Sequence, residues 1–142
     1  MASSLVDTNI LVYARDLREP VKRARAVDRI EELSARGELV LSAQILNELS
    51  ATALRRGTPI EEVQAAVVKW SEIANILLPL QTEATTSALE GVQRHGLAFW
   101  DALIWVTARE ARVPVVLSED FQHGREIEGV RFENPFADLS VT

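Results

Sequence analysis

The chain has 142 residues, of which 47% are apolar, and this is enough to build the core of one domain without disulfides or a structural metal. The sequence contains no cysteine, which excludes a disulfide framework, a thiolate zinc site and redox chemistry at cysteine, and favours a cytoplasmic location. A formal net charge of -6 argues against a protein that binds nucleic acid through a broad basic surface, although bound metal ions would change the charge of an acidic site.

The first predicted strand is followed by a long amphipathic helix. Residues 5–7 are too few and too apolar for a helix and predict a short buried strand with an aspartate at its end. Thr8 and Asn9 follow at once and are typical of a turn. Apolar side chains then recur at helical spacing over residues 20–36, and Gly37 is placed to end that helix.

A second passage from strand to helix comes next. Residues 39–41 predict another buried strand, and residues 42–56 predict a helix that is capped by the serine at its start. A further helix is predicted over residues 59–75, with Thr58 as its cap and Glu61 completing a capping box. Strand and helix thus alternate from the beginning of the chain.

The second half of the chain continues this alternation. Residues 76–78 predict a third strand, and a helix over residues 82–95 begins at a capping threonine and stops before a glycine. Over residues 97–108 Asp101 is the only charged side chain, which is typical of a helix buried on nearly all sides. Residues 115–117 predict a fourth strand, again short and apolar.

Short apolar strands that alternate with helices are typical of a mostly parallel sheet with helices on both faces. We therefore predict an α/β fold with four to five short strands, built as a single domain over residues 1–142. Residues 130–132, which follow a turn at Gly129, are predicted to add an edge strand. Neither a signal sequence nor a membrane span is expected, because the first residues lack basic charge and no apolar stretch reaches about 20 residues.

Acidic side chains recur where this fold would bind a ligand. In open α/β sheets ligands bind outside the carboxyl ends of the strands. Asp7 ends the first predicted strand, Glu48 lies on the helix after the second, and Asp101 interrupts an apolar helix. Glu119 and Asp120 follow the fourth strand, so that four acidic positions are predicted to meet at one edge of the sheet.

Carboxylates that are gathered together repel one another unless protons or cations compensate their charge. Mg²⁺ prefers oxygen ligands and keeps several waters, which suits a few carboxylates together with a substrate phosphate. Such an ion activates water and stabilises the leaving oxygen in a displacement at phosphorus, and two ions would lie roughly 3.5 to 4 Å apart. The two histidines, His95 and His123, do not provide a zinc triad.

Four segments carry a resemblance to a known family. The sequence VDTNIL at residues 6–11, Glu48, WDALI at residues 100–104 and LSEDF at residues 117–121 together resemble a PIN domain. The resemblance covers essentially the whole chain. The size of the chain is also similar to that of the VapC-type toxins of type II toxin–antitoxin modules.

The resemblance implies a three-layer PIN-like fold and an endoribonuclease that depends on one or two Mg²⁺ or Mn²⁺ ions. It also implies an RNA substrate, a homodimer and an inhibitory antitoxin partner. By the resemblance Asp7, Glu48 and Asp101 correspond to the metal-binding and catalytic acids, and Asp120 corresponds to the fourth. The polar residues that would support the site are Thr8, Asn9, Ser118 and Glu119. The adjacent Glu119 and Asp120 leave open which carboxylate faces the metal, and only the spacing from the serine favours the aspartate.

Each acid also has an ordinary structural interpretation. Asp7 is of a type that caps helices, Glu48 could be a solvated helix residue, and Asp101 could cap a helix that begins later than predicted. The arginines over residues 15–29 alternate with acids and are more typical of a solvated helix face than of a phosphate track, although some of them could still flank the groove. The aromatic residues are interpreted as core or subunit contacts rather than base-stacking platforms: Phe99, Trp100, Trp105 and Phe121.

Three other functions are alternatives to a ribonuclease. A phosphatase with an aspartate nucleophile fits poorly, because Asn9 stands where a second aspartate is expected and the only lysines, Lys22 and Lys69, lie within amphipathic helices. A receiver-like signalling domain fails for the same lack of a lysine. A non-catalytic module that binds metal or a basic peptide through the same acids remains open, and the sequence does not indicate which RNA would be cut.

Overall fold

The computed structural model describes residues 2–139, which form an alternating series of strands and helices. In chain order the elements are β1 (Ser4–Val6), α1 (Thr8–Tyr13), α2 (Pro20–Ala35), β2 (Leu39–Ser42), α3 (Ala43–Arg55), α4 (Ile60–Ile73), β3 (Ile76–Leu78), α5 (Ala84–His95), α6 (Phe99–Glu110), β4 (Val115–Leu117), β5 (Glu126–Ile127), β6 (Val130–Glu133) and a final 3-10 turn at Ala137–Leu139. The predicted α/β class is confirmed.

The sheet has the strand order β3-β2-β1-β4-β6-β5, and every neighbouring pair is parallel except β5 with β6. Within residues 2–139 the sheet has six strands instead of the predicted four to five. The predicted edge position of residues 130–132 is wrong, because β6 lies inside the sheet between β4 and β5. A tight turn at Glu128 and Gly129, both with positive φ, folds β5 back onto β6 and makes β5 the edge.

Three predicted local features differ in the structure. Thr8 does not begin a turn but opens α1, because Asp7 caps the helix directly at the end of β1. Thr58 does not cap α4: its N–H donates to the carbonyl of Ala53 and so closes the end of α3, and the N-cap of α4 is Pro59, without a side-chain bond. Thr82 likewise forms no cap, because its carbonyl accepts in a turn that precedes the start of α5 at Ala84.

The core surrounds the central strands. Every residue of β1, β2 and β4 is buried, which explains why these strands are continuous apolar runs. Residues 102–108 of α6 are buried as predicted, with Trp105 only 1% exposed. Trp100 is 61% exposed, so of the two predicted roles, core or subunit contact, this residue does not have the first. No helix within residues 2–139 is both long and apolar enough to cross a membrane.

The carboxyl ends of β1 and β4 lie side by side and define the edge where the acids gather. The N–H of Asp7 donates to the carbonyl of Leu117 at 2.9 Å, and the N–H of Ser118 donates to that of Glu133 at 2.9 Å. This parallel register places Asp7 and Ser118 next to each other, although 110 residues lie between them in the sequence.

Candidate active site

Asp7 stands at the carboxyl end of β1 and caps α1. One carboxylate oxygen accepts a hydrogen bond from the N–H of Thr8 at 2.7 Å, and the other accepts one from the hydroxyl of Ser118 at 2.6 Å. The residue is 4% exposed. The pKa of Asp7 is raised, mainly by burial and also by the charge of Asp120. The hydrogen bonds from Ser118 and Thr8 lower it in part. Asp7 therefore combines a capping role with a place among the acids.

Ser118 and Asn9 connect Asp7 to Asp120. Ser118 is fully buried at the end of β4, and its hydroxyl accepts a hydrogen bond from the N–H of Asp120 at 3.1 Å. The side-chain amide of Asn9 donates to a carboxylate oxygen of Asp120 at 3.1 Å and to one of Asp7 at 3.4 Å. These contacts fix the loop after β4 against the start of α1.

Glu48 is brought to the same edge by α3. Gln44, one turn earlier and buried, donates from its amide to Glu48 at 2.7 Å and to the carbonyl of Trp100 at 3.0 Å. Gln44 was not among the predicted site residues; its spacing of four residues from Glu48 was a signal for their contact, but no local pattern indicates its bond to Trp100 on α6. The hydroxyl of Thr8 donates to the carbonyl of Ile45 at 3.4 Å and so holds α1 against α3. The pKa of Glu48 is raised, mainly by burial and also by the charges of Asp7, Asp101 and Asp120. The hydrogen bond from Gln44 lowers it in part.

Asp101 lies in the first turn of α6, and its carboxylate receives no hydrogen bond from any residue between 2 and 139. The N-cap of this helix is Ala98, so Asp101 is not the cap. Burial and the charges of Asp7 and Asp120 raise the pKa of Asp101 to about 6. A half-buried carboxylate with like charges beside it and no donor is destabilised in its ionised form, and a cation would relieve that cost.

Glu119 and Asp120 are adjacent in the sequence but have different surroundings. The carboxylate of Glu119 accepts hydrogen bonds from Nζ of Lys22 at 2.5 Å and from the hydroxyl of Tyr13 at 2.8 Å. Because Lys22 on α2 and Tyr13 on α1 bind the carboxylate of Glu119, it does not contact the other acids. Asp120 instead contacts Asn9, and its charge raises the pKa of the other three acids. The structure therefore groups Asp120 with the acidic cluster.

The acidic cluster, which consists of Asp7, Glu48, Asp101 and Asp120, forms no ion pair with a lysine, arginine or histidine of the described chain. Its oxygen donors are the type that Mg²⁺ and Mn²⁺ prefer. Within residues 2–139, however, no three acidic or histidine side chains stand ready to hold an ion together. The chemistry of these donors fits a hard divalent ion.

An open cleft leads away from the acidic cluster between α1 and α3. Glu48 and Asp120 lie on its wall, and polar and basic side chains continue the wall further out. The lining residues are Thr8, Asn9, Val12, Tyr13, Asp16, Arg18, Glu19, Glu48, Thr52, Arg56 and Asp120. Glu48 and Asp120, two members of the cluster, are thus accessible to a ligand in this cleft.

Three solved structures have a similar fold. VapBC2 from Rickettsia felis, bound to a DNA fragment from its promoter, has a TM-score of 0.68 and 18% sequence identity, with 92% of this chain and 97% of that chain covered. VapC20 from Mycobacterium tuberculosis, described as a toxin that cleaves the sarcin-ricin loop, has a TM-score of 0.63 and 22% identity, with 91% and 99% covered. A toxin–antitoxin complex from Klebsiella pneumoniae has a TM-score of 0.63 and 18% identity, with 94% and 98% covered.

The family is shown by the sequence rather than by these structures, because identities this low establish only a common fold. No curated protein matches the sequence. The model of the PIN domain family matches residues 4–125, a span that includes all four members of the acidic cluster. The chain therefore belongs to the PIN domain family.

Proposed function

We propose that the chain is a metal-dependent endoribonuclease that acts as the toxin of a toxin–antitoxin module. The observation that carries this proposal is the acidic cluster, in which four elements deliver carboxylates to one edge of the sheet without a positive partner among the described residues. Membership of the PIN domain family supports it. So does the similarity to a toxin that cleaves an RNA loop and to a toxin–antitoxin complex.

In this proposal Asp7, Glu48, Asp101 and Asp120 would hold one or two Mg²⁺ or Mn²⁺ ions. Such an ion lowers the pKa of a bound water and stabilises negative charge on the leaving oxygen. The neighbouring residues keep the acids in place, since Ser118 orients Asp7 and Gln44 orients Glu48. Asn9 holds Asp120, and Thr8 fixes α1 against α3.

Glu119 would support the site from outside the acidic cluster. Its bonds to Lys22 and Tyr13 anchor the loop that follows β4, so that its neighbour Asp120 faces the other acids. Asp120 is therefore our choice for the fourth metal-binding acid.

We further propose an antitoxin as protein partner, a homodimer, a cytoplasmic location and a single domain over residues 1–142. The antitoxin is supported by the complexes among the similar structures. The alternative is a non-catalytic module that binds metal or a basic peptide through the same acids, and a cleavage assay separates the two functions.

The assay uses purified protein, labelled single-stranded RNA and Mg²⁺ or Mn²⁺. We expect cleavage that stops with a chelator and falls at least about 100-fold in Asp7→Asn, because this change removes a ligand charge and keeps the size of the side chain. Glu38→Gln is the matched control, since Glu38 precedes β2 at the opposite edge of the sheet and should retain full activity. Cleavage that persists with both chelator and Asp7→Asn would contradict metal dependence, and metal binding without cleavage of any RNA would favour the non-catalytic module.

A further inference from the structure

The cleft follows one face of α3 outward from the acidic cluster. Glu48, Thr52 and Arg56 succeed one another at intervals of four residues, and all three line the cleft. Residues four apart on a helix lie on the same face. The rise of the helix separates Glu48 from Arg56 by about 12 Å along the axis. One wall of the cleft therefore begins with a carboxylate of the acidic cluster and ends with a guanidinium group.

Arg18 supplies a second guanidinium group to the lining of the cleft. Arg18 donates from Nε to a carboxylate oxygen of Asp16 at 3.1 Å, and its backbone N–H donates to the same carboxylate at 3.0 Å. The side chain of Asp16 is only 13% exposed, whereas that of Arg18 is 79% exposed. Arg18 and, more weakly, the charge of Arg56 lower the pKa of Asp16, so both arginines lie near this end of the cleft.

Arg56 is available to bind a ligand. Most arginines with fixed side chains are engaged by acids, as in the ion pairs of Arg25, Arg29, Arg109 and Arg131. Arg56 forms neither a hydrogen bond nor an ion pair through its side chain with any residue between 2 and 139. Guanidinium groups bind phosphate oxygens through paired hydrogen bonds. Exposed guanidinium groups at the end of a cleft are therefore suited to a phosphodiester backbone.

We propose that Arg18 and Arg56 form a phosphate clamp, which binds the backbone of the RNA strand to one side of the bond that is cut. Asp16 is a positioning residue, because its carboxylate accepts hydrogen bonds from Nε of Arg18 at 3.1 Å and from Nη2 at 3.4 Å, which leaves Nη1 free for a ligand. The clamp rests on the proposed ribonuclease function and adds to it a binding site separate from the metal. It also explains how a chain with net charge -6 would hold a polyanion.

The first test measures how RNA binding depends on salt. Binding of a labelled single-stranded RNA is measured in an Asp101→Asn background, in which cleavage is blocked, between about 50 and 200 mM salt. Each lost phosphate contact flattens the slope of log K against log salt by about 0.7 for a single strand. We expect this change in Arg18→Gln and in Arg56→Gln, and about twice as much in the double variant. Arg56→Lys keeps the charge and should keep the slope.

Arg36→Gln is the matched control. Arg36 follows α2 at the amino ends of the strands, on the far edge from the acidic cluster, and its removal changes the net charge equally. We expect an unchanged slope. A general effect of net charge would alter the slope of Arg36→Gln as well, and that result would overturn the clamp.

The second test uses cleavage by the chain with its acids intact. We expect Arg56→Gln to raise KM about tenfold with little change in kcat, because the lost charged hydrogen bonds act on binding and not on the reacting phosphate. Substrates shortened until the clamp is empty should be cleaved equally by the variant and the parent protein. A merely structural role would lower the melting temperature without this dependence on length.

The outcomes separate the clamp from the function on which it rests. RNA cleavage by the parent protein with unchanged slope and KM in Arg18→Gln and Arg56→Gln overturns the clamp alone. An RNA that is neither bound nor cleaved by the parent protein overturns both proposals. If the variants lose affinity only for an acidic peptide such as oligoglutamate, the two arginines bind a protein partner instead and the clamp is wrong.

Discussion

Asp101 shows most directly how the chain tolerates its own acids. This carboxylate accepts no hydrogen bond within the described residues, and burial and neighbouring charge raise its pKa well above the ordinary value of an aspartate, to about 6. The folded state therefore binds more protons than the unfolded state between about pH 4 and 6. The contribution of Asp101 to the stability of the folded state therefore falls as pH rises through this window, and it remains unfavourable at neutral pH.

Asp101→Asn should therefore stabilise the metal-free protein at pH 7.5. We expect a gain of about 1 kcal/mol, after allowance for the solvent that screens a half-buried group, and no gain near pH 4. Millimolar Mg²⁺ should raise the melting temperature of the parent protein and raise that of the variant much less. Thermal unfolding in chelator and in Mg²⁺ at both pH values measures these effects. An Asn variant that is no more stable than the parent at pH 7.5 would show that the charge of Asp101 is already compensated.

Single residues also mark the limit of prediction from sequence. The rule for open α/β sheets predicted Asp7, Glu48 and Asp101 at one edge of the sheet, because it depends only on the order of strands and helices. In the structure the charges of Asp7 and Asp101 raise the pKa of Glu48, while the role of the three acids stays a prediction. It did not separate Glu119 from Asp120, since their orientations are set by Lys22 and other residues far away in the chain. For Trp100 the sequence left a core position and a subunit contact open, and the structure excludes the core position, because Trp100 in the first turn of α6 is exposed to solvent.

At the scale of elements, the close packing of α5 against α6 depends on a glycine in α5. A Cβ atom added to Gly91 on α5 would lie 2.6 Å from a carbon of the Trp105 ring on α6, which is too short for a non-bonded contact of a Cβ atom. Trp105 is held in place, because its indole N–H donates to the carbonyl of Ile127 at 3.1 Å. The glycine is therefore needed for close packing of the helices and not for backbone freedom.

Gly91→Ala should destabilise the fold by about 1 to 3 kcal/mol through overpacking, even though alanine is the better helix former by roughly 0.5 to 1 kcal/mol. The loss should shrink when Trp105→Phe supplies a smaller ring, and urea denaturation of both single variants and the double variant measures this coupling. Additive losses would show that the ring does not oppose the new methyl group.

The elements themselves were predictable where their signal is local. The strands β1, β2 and β4 were found because burial on both faces makes each a continuous apolar run. The short helix α1 was missed, since its six residues follow a strand without a linker. The strand β5 has only two residues and exists through its pairing with β6, which no local pattern reveals.

At the scale of the whole molecule, apolar side chains remain exposed around the edge strand β3. Ile76, Leu77 and Leu80 are 43%, 47% and 44% exposed, and the sheet leaves the outer side of β3 unpaired within the described chain. Apolar edges of this kind are covered by another chain or risk aggregation. A second copy of the same chain would cover them in a symmetric dimer.

We therefore expect light scattering to give twice the mass of the 15.8 kDa chain. Leu77→Lys should shift the protein toward the monomer without lowering its melting temperature at low concentration, because a charge at the edge opposes pairing. Leu17→Lys is the control, since Leu17 is even more exposed but lies in the turn after α1. A monomeric parent protein would remove dimerisation from the proposal, and a dimeric Leu77→Lys would move the interface elsewhere.

The acidic cluster draws its first member from residue 7 and its last from residue 120, at the ends of two strands that hydrogen-bond to each other. A ribosome must therefore translate the chain as far as residue 120 before all the parts of the centre exist, and β4 must then pair with β1. Until then the emerging polypeptide would be harmless to nearby RNA. Under the proposed function, RNA cleavage thus begins only after β4 has folded against β1.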